Sequence, residues 1–306
     1  MTVALVTGAD GFAGSHLVEV LLENGYNVIG LVRSTPLNNL NDIHDKRFKI
    51  MQGDIMDAGS LSKAFWGCDA VYHLAAISGV EESREMVAQT WKTNTEGTLN
   101  VLQAAMENRV KRVMYCSTCH VFGRQEAMPI VETMTPAPID IYSSSKLGAE
   151  ILCRGLMNQY PDLDIVFSRA FNHFGERQRG AWLIPKVIRQ ALRSKVINLG
   201  AGTPTRDFTY VKDTMRGYVA IAEKGKRGEV YNLCSGVERS VKSIVDDIVE
   251  MTHFDGPVNW GTPRPADMNR NVGTYEKAKR ELGWTPQVSW EEGLEQTVRW
   301  YAETLE

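Results

Sequence analysis

The chain is short of cysteine. Cys68, Cys116, Cys119, Cys153 and Cys234 are five among 306 residues, odd in number and scattered. That argues against a disulfide scaffold and predicts a reducing compartment. Cys116, Cys119 and His120 sit close together, but no second ligand pair at zinc spacing accompanies them, so no metal site is expected. No stretch approaches the roughly 18 apolar residues of a membrane-spanning helix. The N-terminus Met-Thr-Val-Ala-Leu lacks the basic start and cleavage site of a secretory leader, so a cytoplasmic location is expected. Neither sign of charge dominates: 34 Lys and Arg against 37 Asp and Glu leave a formal −3, with no bulk attraction for nucleic acid or an anionic membrane. Hydrophobic residues at 43% and charged residues at 23% suit a folded chain with a sizeable core, either two domains or one large α/β unit.

What is present is alternation. Short apolar runs at residues 3–6, 28–32, 48–51, 70–74, 112–116 and 165–168 are separated by amphipathic stretches such as 12–24 and 95–108. That order predicts an α/β fold, a doubly wound parallel sheet with helices on both faces. After about residue 170 the pattern loosens into shorter, proline-punctuated units. The expected division is a dinucleotide-binding part, 1–171, and a smaller substrate-binding part, 172–306, with a strand at 230–233 returning to the main sheet.

The first candidate site is at the N-terminus. In Thr7-Gly8-Ala9-Asp10-Gly11-Phe12-Ala13-Gly14, Gly8 permits a tight turn, Gly11 lets backbone approach a pyrophosphate and Gly14 lets a helix pack close to its strand. The second strand ends Val32-Arg33-Ser34, with no acid to bind ribose hydroxyls. Arg33 at that tip favours NADP over NAD as cofactor, the alternative being a solvated loop residue. Asp54, after the third strand, either faces an adenine amino group or caps a loop.

The second candidate site carries acid-base chemistry. Tyr142 and Lys146 are four apart on a helical stretch and share a face, and a lysine cation beside a phenol favours the phenolate. A strand ending Cys116-Ser117-Thr118 lies upstream, with hydroxyls able to bind the same alcohol.

These residues, with Gly53-Asp54, His73-Leu74-Ala75-Ala76, Asn94-Thr95-Glu96-Gly97-Thr98, Val121-Phe122-Gly123, Arg206-Asp207-Phe208 and Arg264-Pro265, resemble the extended short-chain dehydrogenase/reductase family. Within it the likeness is to nucleotide-sugar epimerases and dehydratases, over nearly the whole chain. The resemblance implies a Rossmann fold and an NAD or NADP cofactor held by Gly8, Gly11, Phe12, Gly14, Arg33, Asp54, Ile55, Leu74, Ala75, Ala76, Tyr142 and Lys146. Counting back from Gly123, it places the catalytic hydroxyl on Thr118 and not Ser117. It also implies that Asn172, Arg206 and Arg264 contact a nucleotide diphosphate, and that two copies associate through residues 95–108 and 147–160 as a homodimer.

The implied activity is oxidation of the sugar at carbon 4 through a 4-keto intermediate. At the position two beyond the threonine, where related 4,6-dehydratases usually carry a glutamate that removes the carbon 5 proton, this chain has His120. The expected order is therefore hydride return at carbon 4 first, epimerase ahead of reductase, and dehydration, with His120 as base, second. Phe171-Asn172-His173 and Gly30-Leu31-Val32-Arg33 look like GDP-sugar enzymes and keep dehydration in view, while Ser117-Thr118-Cys119 looks like 4-epimerases. Two rivals share fewer features. An alcohol or steroid-type dehydrogenase leaves Arg206 and Arg264 without a reason, and a non-catalytic cofactor-sensing scaffold has no need of Thr118, Tyr142 and Lys146 together.

Overall fold

In the strand Val3–Thr7 (β1), Ala4 and Val6 enter the core on one face and Leu5 the core on the other, the pattern of a strand covered on both sides. The computed structural model describes residues 2–262 and 268–304. In it β1 lies between β2 (Asn27–Val32), with β3 (Phe48–Gln52) beyond, and β4 (Ala70–His73), followed outward by β5 (Arg112–Thr118) and β6 (Ile165–Ala170). The helices α1 (Phe12–Glu23), α2 (Ala58–Phe65), α3 (Val80–Glu85), α4 (Val87–Glu107) and α5 (Ile141–Gln159) connect them. Helix α4 begins well before the expected residue 95. Its first two turns bury only Thr90 and Asn94, so they show no apolar stripe from which to read a helix.

The later part of the chain is built from β7 (Asn172–Phe174), α6 (Leu183–Arg193), β8 (Ile197–Leu199), β9 (Thr205–Arg206), β10 (Phe208–Tyr210), α7 (Val211–Lys224), β11 (Val230–Leu233), β12 (Arg239–Ser240), α8 (Val241–Met251), β13 (Val258–Trp260), α9 (Glu276–Leu282) and α10 (Trp290–Thr304). Three small pairings, β7 with β10, β9 with β12 and β8 with β13, frame it. Strand β11 returns to lie parallel to β6, completing a seven-stranded sheet in the order β11-β6-β5-β4-β1-β2-β3, parallel throughout.

Each face of the sheet has its own core. On one, Leu17, Val18 and Leu21 of α1 join Met215, Tyr218 and Ile221 of α7. On the other, Phe65 of α2, Val101 and Leu102 of α4, and Ala149 and Cys153 of α5 pack together. A third, small cluster of Cys119, Val121, Phe122, Ile130, Phe171 and Cys234 lies where the chain leaves β5 and β6. Because all strands run the same way, their C-terminal ends share one edge, and the functional residues gather there. No helix among the described residues is long and apolar enough to cross a membrane.

Candidate active site

The turn after β1 is fixed by steric demands. Gly8 has φ +68°, in the left-handed region, and a Cβ there would stand 3.0 Å from the Ala75 backbone. A Cβ on Gly14 would stand 2.1 Å from the Gly8 carbonyl oxygen, so only glycine lets α1 start this close to β1. Gly11 is the N-cap of α1 and no side chain caps it, which leaves the helix N-terminal N–H groups facing outward as an anion cradle. Leu74 and Ala75 are held against this turn by Thr7, whose hydroxyl oxygen accepts both their N–H groups at 3.1 Å. The same hydroxyl pairs with His73 Nδ1 at 2.8 Å, and His73 Nε2 with Thr98 Oγ1 at 3.0 Å. Thr98 spends its own proton on the Asn94 carbonyl, so His73 is the neutral Nε2–H tautomer, accepting from Thr7 and donating to Thr98.

At the ends of β2 and β3, Arg33 is exposed and Asp54 half-buried. One Asp54 carboxylate oxygen accepts from Met56 N at 2.9 Å, so part of the group closes its own turn. Ile55 is buried against Gly97 of α4. Asp10, inside the glycine turn, grips the loop that follows Arg33: its carboxylate accepts the N–H groups of Asn38 and Asn39 at 2.9 Å. Arg177, from the segment after β7, reaches the Asn39 carbonyl at 3.3 Å and Glu19 of α1 at 2.6 Å.

Thr118 closes β5, and its hydroxyl oxygen accepts the His120 N–H at 3.2 Å, capping a single 3₁₀ turn, Cys119–Phe122. Helix α5 opens with Asp140, which accepts from Ser143 N at 2.7 Å while Ser143 Oγ reaches back to Asp140 N, a reciprocal cap. This fixes Tyr142 and Lys146 on the turn that faces Thr118. Burial pushes the Tyr142 phenol up, Cys116 adds to the rise, and the Thr118 hydroxyl opposes it. The net shift is upward, and Lys146 is not among the largest influences on it. The Lys146 ammonium lies 4.3 Å over the Tyr115 ring, is lowered by burial, and has no hydrogen-bond acceptor among the described residues. A buried ammonium that makes no hydrogen bond to the described residues is a donor suited to a ligand hydroxyl. His120 Nδ1 stands 3.9 Å from Asp140 Oδ2, and its ring meets Tyr142 edge-on at 6.2 Å. Burial pushes the Asp140 carboxyl up, but His120 and Ser143 outweigh it, and the net shift is downward. Ser117 points elsewhere, its hydroxyl donated to Glu150. Of the two hydroxyls at this strand end, Thr118 is the one beside Tyr142.

Across the crevice, Asn172 opens β7 and donates to the Asp207 carbonyl at 3.3 Å. Arg206 is held by the carbonyls of Thr205 and Met268 at 2.7 and 2.8 Å. Buried Asp207 between them accepts from Ser235 N, Gly236 N and Gly273 N, which locks the segment bearing Arg206 to the end of β11. His173 stacks on Phe12 at 5.5 Å, and burial lowers its imidazole to about 4. Arg264 lies outside the described residues.

The structure therefore brings the glycine turn, residues 74–76 and Thr118, Tyr142 and Lys146 to one sheet edge, with Asn172 and Arg206 opposite. The sequence reading assigned no role to Asp140, Glu150 with Arg169, or Asp10. Asp140 had a signal, an Asp-x-x-Ser cap two residues before Tyr142; the others are joined only by folding.

Comparison with known proteins agrees with this arrangement. Residues 4–234 match the profile of the NAD dependent epimerase/dehydratase family. A human dTDP-D-glucose 4,6-dehydratase is 31% identical over 317 aligned positions, covering 98% of this chain and 90% of its own. A Thermotoga maritima UDP-glucose 4-epimerase, solved with UDP-glucose, superposes with a TM-score of 0.94 at 32% identity over the full length of both chains. A Streptomyces venezuelae dTDP-glucose 4,6-dehydratase, solved with NAD, gives 0.93 at 33% identity, covering 99% of this chain and 97% of that one. The chain belongs to the NAD dependent epimerase/dehydratase family, and is an enzyme of the nucleotide-sugar type.

Burial, and then Lys146, hold the His73 imidazole down to about 3, and burial with Arg177 does the same for His16. A depressed imidazole stabilises the fold above its unfolded value of about 6.5 and loses that contribution as pH falls toward the folded value. Thermal unfolding scans between pH 7 and 4 should show a midpoint that falls with acidity, with a shallower slope in His73→Gln. An equal slope in the variant would show that folding does not depress the His73 imidazole.

Proposed function

We propose that the enzyme oxidises the hexose of a nucleoside diphosphate sugar at carbon 4 and returns the hydride there, with 4-epimerisation the leading reading and 4-keto reduction next. The observation that carries it is the convergence of Thr118, Tyr142 and Lys146 at the end of β5, beside the uncapped N-terminus of α1. A nicotinamide dinucleotide, when bound, supplies the acceptor and donor of the hydride and, in its oxidised form, a positive charge. Gly8, Gly11, Phe12 and Gly14 would cradle its pyrophosphate, Leu74, Ala75 and Ala76 would line its path, and Asp54 and Ile55 would flank the adenine.

Tyr142 takes the proton from the carbon 4 hydroxyl in the oxidising direction and gives it back in the other. Its phenol is raised by burial, so the protonated form is the resting acid. Forming the phenolate depends on nearby positive charge, and Lys146, one helical turn away, provides it while donating to the ribose hydroxyls. Thr118 holds the carbon 4 oxygen. Asn172, Arg206 and Arg264 hold the diphosphate, guanidinium groups being suited to a dianion.

A second reading, 4,6-dehydration, is favoured by one observation: His120 stands 3.9 Å from Asp140, which would orient the ring as a base toward carbon 5. One experiment separates the two. UDP-, dTDP- and GDP-glucose are incubated with enzyme and cofactor in deuterated water and the products read by NMR. The leading reading expects inversion at carbon 4, little change in His120→Ala, and a loss of about 10²–10⁴-fold in Tyr142→Phe with sugar affinity retained; a 4-keto reductase would leave these sugars unchanged and reduce an added nucleoside diphosphate 4-keto sugar with the reduced cofactor. A 4-keto-6-deoxy product carrying deuterium, lost in His120→Ala, establishes dehydration instead; full turnover by Tyr142→Phe sinks both.

Arg33 supports NADP over NAD. Fluorescence titration should give the tighter Kd for NADP, and Arg33→Ala should weaken NADP alone by about 1.5–3 kcal/mol. Equal affinities in the wild-type enzyme would remove the inference.

The free cysteines suit a reducing cytoplasm. A homodimer joined through α4 and α5 is supported by the exposed apolar side chains of Val87, Trp91 and Ile151, at 52%, 46% and 62%. Light scattering at micromolar concentration should give twice the chain mass, and a monomeric mass would rule the dimer out.

A further inference from the structure

Next to the candidate catalytic groups lies a buried ion pair that the proposed chemistry leaves unused. Glu150 of α5 is one helical turn beyond Lys146 and 1% exposed; Arg169 of β6 is 5% exposed. Arg169 donates from Nε at 3.1 Å and Nη2 at 2.7 Å to the two carboxylate oxygens of Glu150. Ser117, the residue before Thr118, donates its hydroxyl to the same carboxylate. The guanidinium lies 4.6 Å over the ring of Phe122, in the turn that carries His120. One carboxylate thus grips β5, β6 and α5, and its partner packs on the 3₁₀ turn, so every element bearing a candidate catalytic group meets at this pair.

A buried ion pair contributes little net stability, because desolvating both charges offsets most of their attraction. Position and charge are what remains for it to supply. We propose that Glu150 is a positioning residue for Lys146 and, through Lys146, for Tyr142: clamped by Arg169 and Ser117, its carboxylate sets a fixed negative charge one helical turn from Lys146 and fixes α5 against the end of β5.

The groups facing Lys146 come from several elements. They are Glu150 and Cys153 on α5, Tyr115 and Cys116 on β5 and His73 on β4, with Tyr218 of α7 behind Cys116 at 2.9 Å and Arg169 of β6 behind Glu150. Burial drives Lys146 toward its neutral form, and Cys116, Cys153 and Glu150 oppose it. Burial pushes the Cys153 thiol up, His73 is neutral, and Glu150 is the one carboxylate among the groups that act on Lys146. Removing that charge leaves Lys146 beside an unneutralised guanidinium, and both changes disfavour the ammonium.

The inference rests on Tyr142 and Lys146 being the acid-base pair, so its test is kept independent of turnover. Protein grown with ¹³Cε-lysine gives a Lys146 signal, identified by its loss in Lys146→Met, whose shift against pH reports the ammonium directly. The Lys146 midpoint should fall by about one pH unit in Glu150→Gln and remain near the wild-type value in Glu150→Asp, which keeps the charge. If Glu150→Gln does not fold, the double variant Glu150→Gln/Arg169→Met removes the stranded guanidinium and should still show a lowered midpoint. An unchanged midpoint in a folded variant lacking the carboxylate, even one less heat-stable, overturns the proposal and leaves the pair a structural role only. A lowered midpoint together with full turnover by Tyr142→Phe would instead keep the electrostatics and sink the reaction assigned to the site.

Discussion

The reversal of strand order at β1 is the constraint on which the rest depends. After β1 the chain winds outward through β2 and β3, then crosses back to β4 and winds the other way through β5 and β6. The connections beyond β1 and β4 therefore diverge and leave a crevice at the C-terminal edge of the sheet. The glycine turn and residues 74–76 are its two lips, and the Thr7–His73–Thr98 chain of hydrogen bonds sets how far apart they stand. Thr118 enters the same edge because β5 pairs with β4 in register, His73 opposite Tyr115.

The parts of the site that were legible in the sequence are those whose chemistry is local. Gly8 and Gly14 are dictated by a backbone angle and a backbone clash, both consequences of a few consecutive residues. Tyr142 and Lys146 share a turn of one helix, so spacing alone joined them. The parts that were illegible are long-range pairs. Ser117, Glu150 and Arg169 sit on three elements, and nothing in any of their local patterns marks them as partners. The electrostatic expectation for Tyr142 met the same limit: a lysine four residues away was visible, whereas the burial that raises the phenol, and the Tyr115 ring that takes up the ammonium, exist only in the folded chain.

Strand alternation made the fold plain through residue 170, since parallel strands buried on both faces read as continuous apolar runs. Beyond it, apart from β11, the strands shorten to two or three residues, as in β9 and β12, too brief for any periodicity. Its helices join the apolar core, but the segments that carry Asn172 and Arg206 are organised by polar contacts. Asp207 draws three backbone N–H groups from two segments, Ser235 and Gly236 after β11 and Gly273 before α9, and an aspartate in an irregular stretch gives no sequence sign of such a hub.

The return of β11 and α7 to the first part of the chain bears on what can be produced as a fragment. A chain cut after residue 171 would lack β11, exposing the inner strand β6 as a sheet edge with unpaired backbone groups. It would also lack α7, uncovering the apolar side of α1 formed by Leu17, Val18 and Leu21. Residues 1–171 therefore share both their core and their sheet with the later part of the chain. During synthesis the nascent first half must wait, partly uncovered, until about sixty further residues have emerged, at roughly 5–20 residues per second.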